Sequence, residues 1–217
     1  MNWIITALVL IGASFAGSVA AQTPPTHQHS FGNAEHWAHV FDDPKRDEWQ
    51  KPHEVIQTLA LKPGAVIADI GSGTGYFAMR LANMVPQSRV YGVDVEPDMV
   101  KYLAERAKRE QRDNVVSVAG ASDDPRLPEK VDLILLVDTY HHVDRRTAYF
   151  KRVRQSLKPG GRVAIIDFRL ESPHGPPKAA RLAPDRVVAE LKDAGYALDQ
   201  EHDFLPYQYF LVFRPVS

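Results

Sequence analysis

The chain reads as an α/β protein built on an open, doubly wound sheet of seven strands, mostly parallel, with an antiparallel hairpin at its C-terminal edge. Three observations predict this. Short apolar, β-branched runs recur along the chain, as suits parallel strands covered on both faces. Stretches with apolar residues at helical spacing lie between them. The last two runs follow one another with no room for a helix, so they must fold back as a hairpin.

The elements follow in order. Residues 35–60 read as N-terminal helices that cap the domain, in two pieces broken by Asp43-Pro44. Strands are expected at 66–70, 89–93, 115–118, 131–137, 162–167, 197–202 and 209–213. Helices are expected at 75–84, 97–111, 147–157 and 184–194. Phe77, Leu81 and Met84 mark the buried side of the first of these; Val187, Val188 and Leu191 mark that of the last, which ends at Gly195. Lys62-Pro-Gly64 and Lys158-Pro-Gly-Gly161 read as turns that each precede a strand.

Composition narrows the chemistry. The 217 residues contain no cysteine, which excludes disulfide scaffolds, zinc–thiolate sites and cysteine nucleophiles. A formal net charge of −1 argues against a nucleic-acid partner. Residues 1–21 read as a signal peptide: an apolar run from Ile4 to Phe15, then small residues with Val19 and Ala21 at the cleavage positions. An exported, periplasmic protein is expected, with an uncleaved membrane anchor as the alternative. Membrane contact would then come only through that N-terminal segment. Residues 22–34 form a Pro/Thr/His linker, and the domain proper occupies 35–217. His27, His29, His36 and His39 lack an accompanying carboxylate set, so no metal site is expected.

The most informative stretch is Asp69-Ile-Gly71-Ser72-Gly73-Thr-Gly75-Tyr76, where a strand enters a glycine-rich turn that opens a helix. In a doubly wound sheet such a turn lies at the carboxyl end of a central strand, where ligands bind. The G-x-G-x-G spacing is not the dinucleotide fingerprint, whose third glycine position is taken here by Tyr76. Asp69 would repel a pyrophosphate and attract an ammonium or sulfonium group. The next strand ends in Asp94, placed to accept from ribose hydroxyls.

With Asp94 and the Leu157-Lys-Pro-Gly-Gly-Arg-Val163 stretch, this loop resembles the class I S-adenosylmethionine-dependent methyltransferases, nearest to the methyltransferase type 11 group and similar to the ubiquinone/menaquinone C-methyltransferases. The resemblance covers roughly residues 61–213. It implies a Rossmann-like sheet, S-adenosyl-L-methionine as cofactor and a small-molecule or lipid-like acceptor. It also implies that Asp69, Gly71, Ser72, Gly73 and Gly75 hold the methionine moiety and Asp94 the ribose. Val95 and Met99 are expected at the adenine, and Asp123, or its neighbour Asp124, at the adenine edge.

The fourth strand ends in Asp138-Thr-Tyr140-His141-His142, where polar residues replace apolar ones at the strand's carboxyl edge. Asp138, Tyr140, His141 and His142 are therefore the candidate catalytic residues. Methyl transfer is an in-line displacement that draws on alignment and desolvation, and a histidine suits any proton that the acceptor must lose. Asp167-Phe168-Arg169 closes the fifth strand beside this place. Arg46 and Trp49 share a helical face that is positioned to close over it, and the aromatic run 204–210 offers an apolar lining. Two other readings compete: an NAD(P)-dependent oxidoreductase, and a non-catalytic exported module that binds S-adenosylmethionine or a metal.

Overall fold

The computed structural model describes residues 32–216. The expected signal peptide and nearly all of the linker lie outside the described residues.

The chain enters through three short helices: α1 (Ala34–Phe41), α2 (Arg46–Gln50) and α3 (Pro52–Thr58). Asn33 caps α1 with its side-chain oxygen. Two pieces were expected here, and the second is itself divided. Lys51 ends α2 in the left-handed region (φ 45°), and Pro52 opens α3 at its first position. Only α3 anchors apolar side chains in the core, through Val55 and Ile56. α1 and α2 bury only Ala34 and Gln50 respectively.

The sheet follows: β1 (Val66–Ile70), α4 (Tyr76–Met84), β2 (Arg89–Asp94), α5 (Pro97–Arg109), β3 (Val115–Ala119), β4 (Val131–Val137), α6 (Arg146–Val153), β5 (Leu157–Phe168), α7 (Pro184–Asp193), β6 (Tyr196–His202) and β7 (Gln208–Pro215). The strand order is β3-β2-β1-β4-β5-β7-β6. The first five strands in this order are parallel. β7 pairs antiparallel with both β5 and β6. The expected hairpin is therefore present, with β6 as the outer strand, which exposes Asp199, Gln200 and Glu201 along with Leu198.

Two apolar layers sandwich the sheet, because successive strand residues face opposite sides. Ile67, Leu133, Leu135 and Ile166 pack under α3, α4 and α5 with Val55, Leu81 and Leu103. Ala68, Ile134, Leu136 and Ile165 pack under α6 and α7 with Phe150, Val153, Val187 and Leu191. The strand order reverses between β1 and β4, which leaves a crevice beyond their carboxyl ends.

Two expected boundaries shift. The stretch 158–161 is not a turn before β5 but an excursion inside it: Val131 pairs with Leu157 and Leu133 with Arg162. Lys158 fixes that excursion by its ion pair with Asp132 (2.7 Å), whose carboxylate also accepts from the Val66 amide. The helix expected over 147–157 ends at Val153 and tightens to a 3₁₀ turn at Arg154–Ser156 before the strand begins.

Candidate active site

β1 delivers Asp69 to the crevice, and the glycine turn bends the chain into α4. The turn is held from both sides. The amides of Gly71 and Ser72 donate to the Val93 carbonyl at the end of β2 (2.8 and 3.0 Å). Gly71 has φ 72°, and a Cβ there would lie 2.3 Å from the Thr139 hydroxyl oxygen after β4. Only glycine fits both constraints. Phe41 at the end of α1 covers Gly73, and Arg106 reaches from α5 to the Thr74 carbonyl and to Asp42.

Asp94 closes the second side. One carboxylate oxygen accepts from the Gly73 amide (2.8 Å), the other from the Glu96 amide (3.0 Å). Burial raises its carboxyl above the ordinary value, and these amides pull it partly back. Beside it Val95 is 58% exposed, an open apolar surface next to the carboxylate. Met99 is 1% exposed and belongs to the packing beneath α5. Asp123 stays at the rim: its carboxylate is exposed and pairs with Arg152 of α6 (3.6 Å). It does not join Asp69 and Asp94.

At the end of β4 the backbone turns through Asp138 (φ 54°) into a 3₁₀ turn, Tyr140–His142. Here one expected catalytic residue must be corrected. Tyr140 is 0% exposed, packed among the α6/α7 core residues, and its hydroxyl donates to Glu190 of α7 (2.7 Å). The 3₁₀ turn sends it to the far side of the sheet edge because its ring completes that core. Its neighbours stay at the site. His141 Nδ1 lies 2.9–3.0 Å from both carboxylate oxygens of Asp167 on β5, and the His141 amide donates to the same group (3.2 Å). The His142 ring lies 4.1 Å from that of His141, centre to centre. Burial alone would lower the imidazole pKa. The Asp167 hydrogen bond and charge, with Asp138 behind, raise it. An imidazole whose Nδ1 hydrogen is held by a carboxylate presents Nε2 as the proton acceptor.

Arg46 of α2 ties these parts together. It donates from Nη2 to Asp138 (3.2 Å), from Nε to the Gln50 side chain (2.8 Å) and from Nη1 to the Phe41 carbonyl (3.0 Å). Gln50 donates to Gln208 of β7 (2.8 Å), and Gln208 donates to the other oxygen of Asp138. The four side chains form a closed ring over the strand ends. Arg46 also lies over the Tyr76 ring (4.2 Å), with Arg80 at 3.9 Å from the same ring's centre. Trp49 stacks on His174 (5.2 Å, 6°) beside Phe168 and Tyr207. The sequence did not point to Gln50 or Gln208. The one available signal was a polar residue, Gln208, inside the apolar run 204–210.

The electrostatics favour a cationic ligand. Burial pushes the Asp69 carboxyl up to about 7, with Asp94 adding to the rise, and burial pushes Asp138 up to about 7. The hydroxyls of Ser72 and Thr74 in the glycine turn are buried without a hydrogen-bond partner. Strand-end carboxylates, unsatisfied hydroxyls and an open apolar face at Val95 fit an adenosyl group with an ammonium and a sulfonium.

A raised carboxyl pKa destabilises the folded state as pH rises from the unfolded value, near 3.8, to the folded value, near 7. Asp69→Asn is therefore expected to stabilise the ligand-free protein near neutral pH and above, by on the order of 2–4 kcal/mol. The gain should vanish below about pH 4. Urea unfolding across this range checks it; a variant less stable than wild type near pH 8 contradicts it.

Comparison with known proteins agrees with this geometry. A family model described as "Methyltransferase domain" matches residues 68–163, from β1 into β5. Erythromycin 3''-O-methyltransferase of Saccharopolyspora erythraea is 31% identical over 141 residues, covering 62% of this chain and 45% of that protein. Phosphoethanolamine N-methyltransferase 3 of Arabidopsis thaliana is 30% identical over 154 residues, covering 71% of this chain and 29% of that protein. The chain thus spans less than half the length of either. The crystal structure of a SAM-dependent methyltransferase from Aquifex aeolicus superposes with a TM-score of 0.78 at 26% identity, over 85% of this chain and 99% of that one. The glycine turn, the strand-end acids and these likenesses together support a class I S-adenosylmethionine-dependent methyltransferase, with residues 68–163 matching the methyltransferase domain itself.

Proposed function

We propose that the protein transfers a methyl group from S-adenosylmethionine to a small-molecule or lipid-like acceptor, and that His141, oriented by Asp167, takes up the proton an acceptor hydroxyl or amine must lose. The observation that carries this reading is the buried His141–Asp167 pair standing beside the acid-lined glycine turn. The cofactor supplies an activated methyl group. Asp69 and Asp94 bind and orient it, through its ammonium and ribose hydroxyls. The N-terminal segment and the aromatic group around Trp49 exclude water. His141 Nε2 accepts the proton, and the Asp167 carboxylate stabilises the imidazolium that results. Relatives named for an O-methylated antibiotic and an N-methylated phosphoethanolamine support a small acceptor. The likeness to quinone C-methyltransferases belongs to this proposal as the lipid-like option. Without cysteine, the thiol-dependent methylation of arsenite is unsupported.

Calorimetry with S-adenosylmethionine and S-adenosylhomocysteine is expected to show one binding site. Asp94→Ala should weaken it by about 1.5–3 kcal/mol for each charge-assisted hydrogen bond lost. His141→Ala should leave cofactor affinity nearly unchanged and lower labelled methyl transfer into envelope extracts by roughly 10²-fold or more. The reverse pattern, normal transfer with impaired binding, would remove His141 from proton transfer.

We further propose that the chain is exported and cleaved after Ala21. The apolar run and small-residue boundary at its start support this. In a Gram-negative host, the periplasmic fraction should contain a protein beginning at Gln22; a cytosolic protein that retains Met1 would refute export.

A further inference from the structure

A cavity of about 350 Å³ at the opposite end of the sheet is lined by Lys130, Arg154, Lys158 and Arg214. Two of these cations already carry carboxylate partners, and Arg154 donates to the Val216 carbonyl. The ring over the strand ends carries an inference further.

Gln50 and Gln208 are both 0% exposed, although 157 residues separate them in the chain. Every hydrogen bond in their ring runs from the guanidinium of Arg46 toward the carboxylate of Asp138. One route is direct, through Nη2. The other passes from Nε to Gln50, from Gln50 to Gln208 and from Gln208 to Asp138. The segment that Arg46 belongs to is otherwise held mainly by polar contacts: Asp42 to Arg106 (2.9 Å), Asp47 to Arg80 (3.0 Å) and to the Tyr76 hydroxyl. It adds the Trp49 stack and the Phe41 contact at Gly73. Few apolar contacts back these attachments, since α1 and α2 bury only Ala34 and Gln50, so the segment is held less firmly than the helices packed on the sheet.

We propose that Gln208 is a positioning residue whose amide makes docking of segment 42–50 and orientation of the Asp138 carboxylate a single event. Gln208 holds one Asp138 oxygen from the sheet, and the other is satisfied only when Arg46 is seated, with Gln50 closing on the Gln208 carbonyl. The site is then closed over and its acid is aimed in the same step. When the segment lifts, Asp138 loses Arg46 from one oxygen and the Gln208 carbonyl loses Gln50 at the same time, while the Gln208–Asp138 hydrogen bond stays with the sheet, so the open and closed forms are two discrete arrangements. This goes beyond the methyl-transfer reading and does not depend on which ligand binds.

The test uses trypsin, because Lys45 and Arg46 lie in the segment and cleavage after Lys51 is blocked by Pro52. Gln208→Glu keeps the shape and the acceptor for Gln50, but sets a carboxylate against Asp138. Near pH 8 the variant should be cut after Lys45 and Arg46 at least about tenfold faster than wild type. Near pH 5.5 the two carboxylates can share a proton, and the ratio to wild type at the same pH should fall toward one. The other charged or titratable groups around Asp138 are Arg46, Asp167, His141 and Tyr209. They are common to both proteins and cancel in that ratio. A merely structural role for Gln208 would give acceleration without acid rescue. Gln50→Leu, which removes the link to Gln208 and leaves Asp138 its own two partners, should accelerate cleavage equally at both pH values. Wild-type cleavage rates in Gln208→Glu near pH 8, or a ratio that acid does not lower, would overturn the proposal. If Gln208→Glu does not fold, unchanged cleavage in Gln50→Leu overturns it.

Discussion

Negative charge gathered at the carboxyl ends of the central strands is the constraint on which the rest of this molecule depends. Asp69, Asp94, Asp138 and Asp167 end or follow four strands of a sheet whose interior is apolar on both faces. Removing carboxylates from water is costly unless each is paired or protonated. Each of the four has a different remedy. Asp94 is held by main-chain amides, Asp167 by His141, and Asp138 by Arg46 and Gln208. Asp69 is met mainly by the Ala78 amide, and burial keeps its carboxyl raised to about 7.

That arrangement links the N-terminal segment to the chemistry. Arg46 is the cation brought to Asp138, and it comes from a helix that buries little apolar surface of its own. The sheet therefore supplies the acids, and α2 supplies the cation that compensates one of them, Asp138. The division suits an enzyme that admits a cationic cofactor. The site is closed by its own guanidinium over Asp138, while Asp69 is left for the ligand's charge. The net charge of −1 conceals this local excess entirely.

Periodicity read most of the scaffold correctly because strands buried on both faces leave little choice of sequence. Val66–Ile70 and Val131–Val137 are as expected, and the hairpin followed from chain length alone. The glycine turn was legible because close approach and positive φ restrict the residue type. Legibility stopped where an outcome rested on distant packing. Tyr140 looked like its polar neighbours, but the α6/α7 core claimed its ring. Gln50 has no local signature and Gln208 only its place in an apolar run, since only the closed fold brings their amides together. The excursion at 158–161 read as a turn because its pairing depends on β4. Asp123 was expected at the adenine edge from its place in the order of the motif, and its exposed carboxylate lies within ion-pair distance of Arg152.

The central claim is that Asp69 is held partly neutral until a cationic ligand arrives. Calorimetry of S-adenosylmethionine binding at about pH 6.5, in two buffers of different ionisation enthalpy, counts the protons exchanged. The account predicts release approaching one proton per site, with affinity rising toward pH 8, and both effects lost in Asp69→Asn. Binding without proton release, or with proton uptake, would contradict it.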